Sequence, residues 1–236
     1  MLKQQLTSFS ASAAVLAGAA LICSSQAMAL SPFKATYQFS YNGHNMGSAT
    51  RTLQQNGNNW TYIFAAKAGI LASATETSHF SWVDNNVVSN NFSRNASYIG
   101  LSDSFKINFN PNAKTIATNR KGKARSFAWK TGALDELNAE VQVREDLKKS
   151  GLKSNYFITG AKGVDPRKFV KLGTENLATP YGTFSTIKVK LDHGGSDRNT
   201  IFWLAPKLDY LPVKVAHNDG SSSYGILLTG YQGPTK

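Results

Sequence analysis

Cysteine is almost missing from this chain: Cys23 is the single one among 236 residues, and it falls in the N-terminal leader. Neither a disulfide framework nor thiolate chemistry is available to the rest, so stability has to come from burial and hydrogen bonds. Long apolar runs are absent too. The run at 11–23 is about a dozen residues, short of the roughly 18 to 20 that a transmembrane helix needs. Carboxylates are scarce: 14 Asp and Glu stand against 26 Lys and Arg, a formal charge of +12. Such a balance favours anionic partners. No G-x-S-x-G elbow or S-x-x-K occurs in a plausible context, and His44, His79, His193 and His217 are scattered with no H-E-x-x-H spacing. The sequence therefore predicts no cofactor, no metal and no enzymatic activity.

What the N-terminus does carry is an export signal. Lys3 supplies positive charge, 11–23 the apolar core and Ala27-Met28-Ala29 an A-x-A cleavage site. Ile22 precedes Cys23 where a lipobox wants a small residue, so lipidation is not expected. Cleavage after Ala29 would leave a periplasmic protein of residues 30–236, a length suited to one domain. In that compartment the anionic counter-surfaces are lipid head groups and peptidoglycan carboxylates. A monomer in peripheral membrane contact fits; nucleic acid does not.

From Phe33 the chain alternates apolar and polar residues through Phe33, Ala35, Tyr37, Phe39 and Tyr41, the signature of a half-buried antiparallel strand. Asn42-Gly43, Asn56-Gly57 and Asp84-Asn85-Asn86 then punctuate a meander. The strand pattern runs to about residue 130 and resumes after 151. About eleven or twelve strands are expected. So many in a flat sheet would leave long edges and one uncovered apolar face, so the fold class predicted is mainly β: an antiparallel, strongly curved sheet or incompletely closed barrel.

One stretch departs from this pattern. In TGALDELNAEVQVREDLKKSG, residues 131–151, acids crowd the first half, Lys148 and Lys149 close it, and Gly151 offers a left-handed stop. A helix is predicted over about 132–150, with Ala133, Leu134, Leu137, Val141 and Leu147 on one apolar arc. Glu140 and Arg144 fall in the same arc at i,i+4 spacing, so an inward-leaning ion pair is expected.

The segments LDELNAEVQVREDL (134–147), LGTENLATPYGTFSTIKVKL (172–191) and IFWLAPKLDYLPVKVAH (201–217) resemble domain of unknown function family 3108. So does the opening PFKATYQFSYNGHNMGSATRTL (32–53), and the pairing around Trp203, Pro206 and Pro212 is the most specific part. The resemblance implies an exported Gram-negative envelope protein. It brings no catalytic residues with it, and the serine frequent in the family at position 138 is Asn here.

Two candidate binding sites follow. The hairpin Arg120, Lys121, Lys123 and Arg125, with Trp129 beyond it, offers clustered positive charge and an indole suited to sugar faces or head groups. Arg144, beside Glu140, presents a guanidinium fork for a carboxylate or phosphate. The run 192–197 reads as a solvated turn. The function expected is non-enzymatic binding or scaffolding that supports the cell envelope by holding an anionic component, peptidoglycan stem peptide or lipid head group. The alternative is a carrier sheltering a lipid or acylated ligand in the open barrel, which requires an apolar cavity; a cell-wall or lipid hydrolase comes third.

Overall fold

The computed structural model describes residues 30–195 and 197–235. The predicted signal peptide, with Cys23, lies outside the described residues. Fifteen strands form one sheet: β1 (Phe33–Tyr41), β2 (His44–Asn56), β3 (Asn59–Ala68), β4 (Ala72–Val83), β5 (Asn86–Tyr98), β6 (Leu101–Asn110), β7 (Thr115–Arg120), β8 (Lys123–Ala128), β9 (Ala133–Leu134), β10 (Tyr156–Gly160), β11 (Gly163–Thr179), β12 (Gly182–Asp192), β13 (Asn199–Ala205), β14 (Leu211–Asn218) and β15 (Ser223–Gln232). Helix α1 (Glu136–Lys149) separates β9 from β10.

The spatial order runs from β8 down to β1, then β15 down to β9, so the N-terminal meander meets the C-terminal one along the antiparallel β1–β15 ladder. Every pairing is antiparallel except the short β9–β10 contact. β8 and β9 are the two edges, although four residues join them. Among the described residues no ladder closes the gap. Side chains bridge it instead: Thr118 Oγ1 and Arg125 Nη1 both donate to the Ala161 carbonyl, at 3.4 and 3.3 Å. The curved, incompletely closed sheet expected from the turn spacing is what forms.

The strand count exceeds the eleven or twelve expected, and two elements account for much of the difference in reading. Ala133 and Leu134 do not belong to the helix. They form β9, pairing with Phe157 and Ile158, and Ser89 Oγ on β5 donates to the Ala133 carbonyl at 2.9 Å. β11 extends over seventeen residues where only its middle was anticipated, because most of it is exposed on both faces and shows no alternation.

The helix is the core's centre. It begins at Glu136, with Asp135 as N-cap: the Asp135 carboxylate accepts from the backbone N–H of Leu137 and of Asn138, each at 2.9 Å, while the Asn138 amide oxygen accepts from the Asp135 N–H. This reciprocal capping box satisfies donors that would otherwise be orphaned inside the sheet. Residues 137–146 are all buried, polar ones included. An amphipathic arc is thus too modest a description, since the sheet wraps every face. Polar groups on the helix are therefore under pressure to find partners, because an unpaired one would cost more than its pairing gains, and most do so; Arg144 Nε and Nη1 and one Glu145 oxygen are the exceptions. Asn138 donates to Ser89 Oγ (2.9 Å), Gln142 accepts from the Val87 N–H (2.7 Å) and donates to Asp146 (2.9 Å), and Asp146 accepts from the Tyr156 hydroxyl (2.9 Å). Around them pack Phe33, Tyr37, Phe80, Phe92, Ile107 and Val189. No helix among the described residues is long and apolar enough to cross a membrane.

The registers place the turns of β1–β2, β3–β4, β5–β6, β7–β8, β10–β11, β12–β13 and β14–β15 on one rim of the barrel. The helix C-terminus lies at the other rim. There Lys149 Nζ reaches Asn85 in the β4–β5 turn, and Lys148 Nζ reaches Asp209, 2.7 Å away, in the β13–β14 connection.

Candidate functional site

Between the first turn of α1 and the rim opposite its C-terminus the barrel is hollow. The cavity measures about 870 Å³ and is floored by Glu136, Leu137 and Glu140. Its walls come from both meanders. Phe39, Phe64 and Phe105 face it from the N-terminal half, and Phe169, Phe202 and Ile226 from the C-terminal half. Tyr41, Lys67, Tyr98 and Arg198 stand where it opens to solvent. A volume of this order accommodates a small-molecule ligand or an acyl chain, and binding pockets generally combine such apolar walls with a few placed polar groups.

The polar groups fall into three sets. At the floor, the Glu140 carboxylate accepts a hydrogen bond from the Tyr62 hydroxyl (2.7 Å) and forms a tight ion pair with Arg51, which itself donates to the Tyr62 oxygen (2.7 Å). Burial raises the Tyr62 hydroxyl's pKa well above its ordinary value, so it stays a donor. On the β4–β6 wall Arg94 gathers three carboxylates, Glu76 at 3.3 Å, Glu136 at 3.4 Å and Asp103 at 3.9 Å, with its guanidinium over the Phe105 ring. Burial, and then the neighbouring Glu136 charge, push the Glu76 carboxyl up despite Arg94.

On the β12–β15 wall Thr200 Oγ1 lies 2.8 Å from His193 Nε2 and 2.6 Å from His217 Nδ1, and the His217 ring stacks on Tyr224 with centroids 4.5 Å apart. Strand register makes this cluster: Leu191, Thr200, His217, Tyr224 and Tyr41 occupy one row of directly opposed positions across β12, β13, β14, β15 and β1. Burial, then Arg198, holds both imidazoles below their ordinary pKa, His193 down to about 4, so both are neutral at pH 7. Arg167 donates to the His193 carbonyl. Lys67 and Arg198 make no ion pair or side-chain hydrogen bond among the described residues, so the cavity's cations without a carboxylate partner sit at the mouth, while Arg51 at the floor is paired with Glu140.

The structure separates the residues singled out in the sequence. Glu140 lines the cavity, but its strong partner is Arg51; Arg144 Nη1 is 4.0 Å away. Arg144 is 2 % exposed, donates to the Asp209 carbonyl at 3.0 Å, and lies over the Phe33 ring, away from the cavity lining. Its fork faces protein, not ligand. In the basic hairpin, Arg120 reaches the cavity edge but makes a bidentate pair with Asp103 (3.2 and 3.1 Å), and Lys121 is 4.0 Å from the same carboxylate. Arg125 is spent on the seam, Lys123 is exposed, and Trp129 packs against the core. At the start of the predicted turn 192–197, of which Ser196 lies outside the described residues, Asp192 accepts from the Gly194 N–H (2.8 Å), and His193 joins Thr200 and His217 instead. Only strand register could have revealed that cluster. No group of three metal-ligating side chains occurs among the described residues.

Comparison with known proteins follows the fold. No curated protein matches the chain. Among solved structures, a β-barrel-like protein of domain of unknown function DUF1849 from Brucella abortus superposes with a TM-score of 0.53 at 8 % identity, covering 87 % of this chain and 98 % of that one. That likeness concerns the fold alone. The model of the family described as protein of unknown function DUF3108 matches residues 36–229, nearly all of the described sheet and its helix. This chain belongs to the DUF3108 family.

Proposed function

We propose that the protein is a non-enzymatic binding protein of the cell envelope that shelters an amphipathic, acyl-bearing ligand in the open barrel. The observation that carries this reading is the cavity of about 870 Å³, walled by phenylalanines from both meanders and open at one rim. Its acyl part would lie against Phe39, Phe64, Phe105, Phe169 and Phe202. Its anionic group would meet Lys67 and Arg198, whose donors are uncommitted, at the mouth.

This favours the carrier reading over capture of a peptidoglycan stem peptide on the basic hairpin. Two of that hairpin's cations are engaged by Asp103 and a third by the Ala161 carbonyl. A hydrolase has less support again: no carboxylate hydrogen-bonds either imidazole of the Thr200 cluster among the described residues, so no paired charge there would stabilise an imidazolium as it forms. The export signal in the sequence supports a periplasmic setting.

The test is titration with a fluorescent long-chain fatty acid, displaced by unlabelled fatty acid and by lysophosphatidylglycerol. Saturable uptake of about one probe per chain is expected. Ala66→Trp, which puts an indole into the cavity, should weaken it at least tenfold. No uptake, or uptake indifferent to Ala66→Trp, would sink the reading.

A further inference from the structure

Large apolar side chains crowd the cavity rim in a way the rest of the described surface does not repeat. Ile70 is 99 % exposed, Leu101 71 %, Ile99 62 %, Tyr98 54 % and Leu71 51 %. All five lie on two neighbouring hairpin tips, β3–β4 and β5–β6. The tips are tied into one platform, since the Ile99 N–H donates to the Leu71 carbonyl at 3.0 Å and Ala72 sits directly opposite Tyr98. Elsewhere exposed large apolar residues fall in ones and twos, as on most surfaces.

The backbone shows that these side chains are kept against local preference. Ile99-Gly100 is a two-residue turn closing the Tyr98–Leu101 pair, with φ of +40° and +77°. The other two-residue turns of this kind, Asn42-Gly43, Asp84-Asn85 and Lys121-Gly122, put a polar, mostly short residue first. A β-branched side chain is the poorest choice for a left-handed φ, where Asn is favoured. Isoleucine there costs turn stability and exposes apolar surface. Strain held at one point of this kind calls for a role outside the fold.

We infer that this rim is a docking surface for a lipid bilayer bearing anionic head groups. The tips project single apolar side chains, the form suited to entering the boundary between head groups and acyl chains. Around the same rim Lys67, Lys121, Lys123, Lys162 and Arg198 are exposed. The exposed acids of the rim, Asp165, Asp192, Asp197 and Asp219, lie on the β10–β15 side, so the hairpins flanking the platform present net positive charge that attracts an anionic leaflet. A second copy of this chain would bring the same cations face to face, which disfavours self-association through this rim. Tyr98 belongs both to the platform and to the cavity lining, so docking would set the cavity mouth against the lipid surface. The inference stands on the rim alone, whether or not the cavity holds an acyl chain.

The test uses the chain from residue 30 onward, which holds the whole described fold, in co-sedimentation with vesicles of phosphatidylethanolamine and phosphatidylglycerol and with vesicles of phosphatidylcholine. The unaltered chain should sediment with the anionic vesicles and at least tenfold less with the neutral ones. Ile70→Ser combined with Ile99→Asn should lose the anionic binding at least tenfold. Ile99→Asn alone should match or exceed the parent Tm, because Asn-Gly suits the turn, so lost binding cannot be ascribed to misfolding. Fatty-acid uptake should persist in the double variant, since neither residue lines the cavity. Unchanged sedimentation of the double variant, no sedimentation of the unaltered chain, or a dimer that the double variant dissociates would each overturn the inference.

Discussion

Arg51 and Glu140, 89 positions apart in sequence, form an ion pair inside the barrel that pins α1 to β2, with the Tyr62 hydroxyl hydrogen-bonded to both. Every member of the trio is nearly inaccessible to water. Deleting one charge would strand the other where hydration cannot compensate it.

Glu140→Ala is therefore expected to destabilise the protein by roughly 3 to 5 kcal/mol. Urea unfolding, comparing midpoints at constant slope, measures it. A loss under about 1 kcal/mol would mean that water reaches Arg51.

Asp135 predicts a pH dependence. Burial pushes its carboxyl up to about 7, outweighing the hydrogen bonds from Ser78 and from the backbone of Asn138 and Leu137. Its folded pKa thus lies above the unfolded value of about 3.9. The stability this linkage contributes is complete below about pH 4 and is lost as pH rises through 7, by up to about 1.4 kcal/mol per pH unit. Asp135→Asn keeps an acceptor at the cap and removes the titration. Asp135→Asn should gain stability relative to the parent between pH 5 and pH 7 and level off above that, whichever of the two is the more stable at pH 5; a difference independent of pH would contradict the assignment.

Lys67 and Arg198 should govern head-group preference rather than capacity. In Lys67→Ala with Arg198→Ala, affinity for a fatty acid is expected to fall about tenfold, roughly 1.4 kcal/mol, while affinity for the matching fatty alcohol stays within twofold. Parallel titrations distinguish the two. Equal losses would place the head group elsewhere.

Gly47 predicts a steric limit. A Cβ there would lie 2.0 Å from the Lys67 carbonyl oxygen and 3.0 Å from the Ala68 Cα, both backbone atoms that cannot swing aside. Gly47→Ala should cost roughly 2 to 3 kcal/mol through overpacking, read from thermal unfolding. An unaltered Tm would show that β2 and β3 part at this end.

Much of the architecture was legible in the sequence because it depends on local signals. Period-two alternation placed Phe33, Ala35 and Tyr37 on one face, and Asn-Gly pairs located the turns. The helix announced itself through its charge order, yet its start was read too early: Ala133 and Leu134 fit a helical arc and a buried strand equally well, and only the β10 partner decides. The site was less legible. Glu140 was rightly drawn inward, but i,i+4 spacing pointed to Arg144, while the partner that matters comes from β2. Likewise the run 192–197 read only as a solvated turn, whereas His193 joins Thr200, His217 and Tyr224, which meet through register across three strands. Tertiary pairing is not written in spacing, and the cavity, which is a property of what the sheet encloses, is not written in any one segment.

The position of the sheet's two edges has a topological consequence. Because β1 pairs with β15 while the unpaired edges belong to β8 and β9, the chain is cut, in ladder terms, at residues 129–132 and joined at its own ends. A circular permutant that links the region after β15 to the region before β1 and opens at 130–131 would keep every ladder. Its strands would then follow one another in space in the order they are synthesised, from β9 through β15 and β1 to β8. The pairing of greatest sequence separation would become a local hairpin, so this permutant should fold faster than its parent at similar stability.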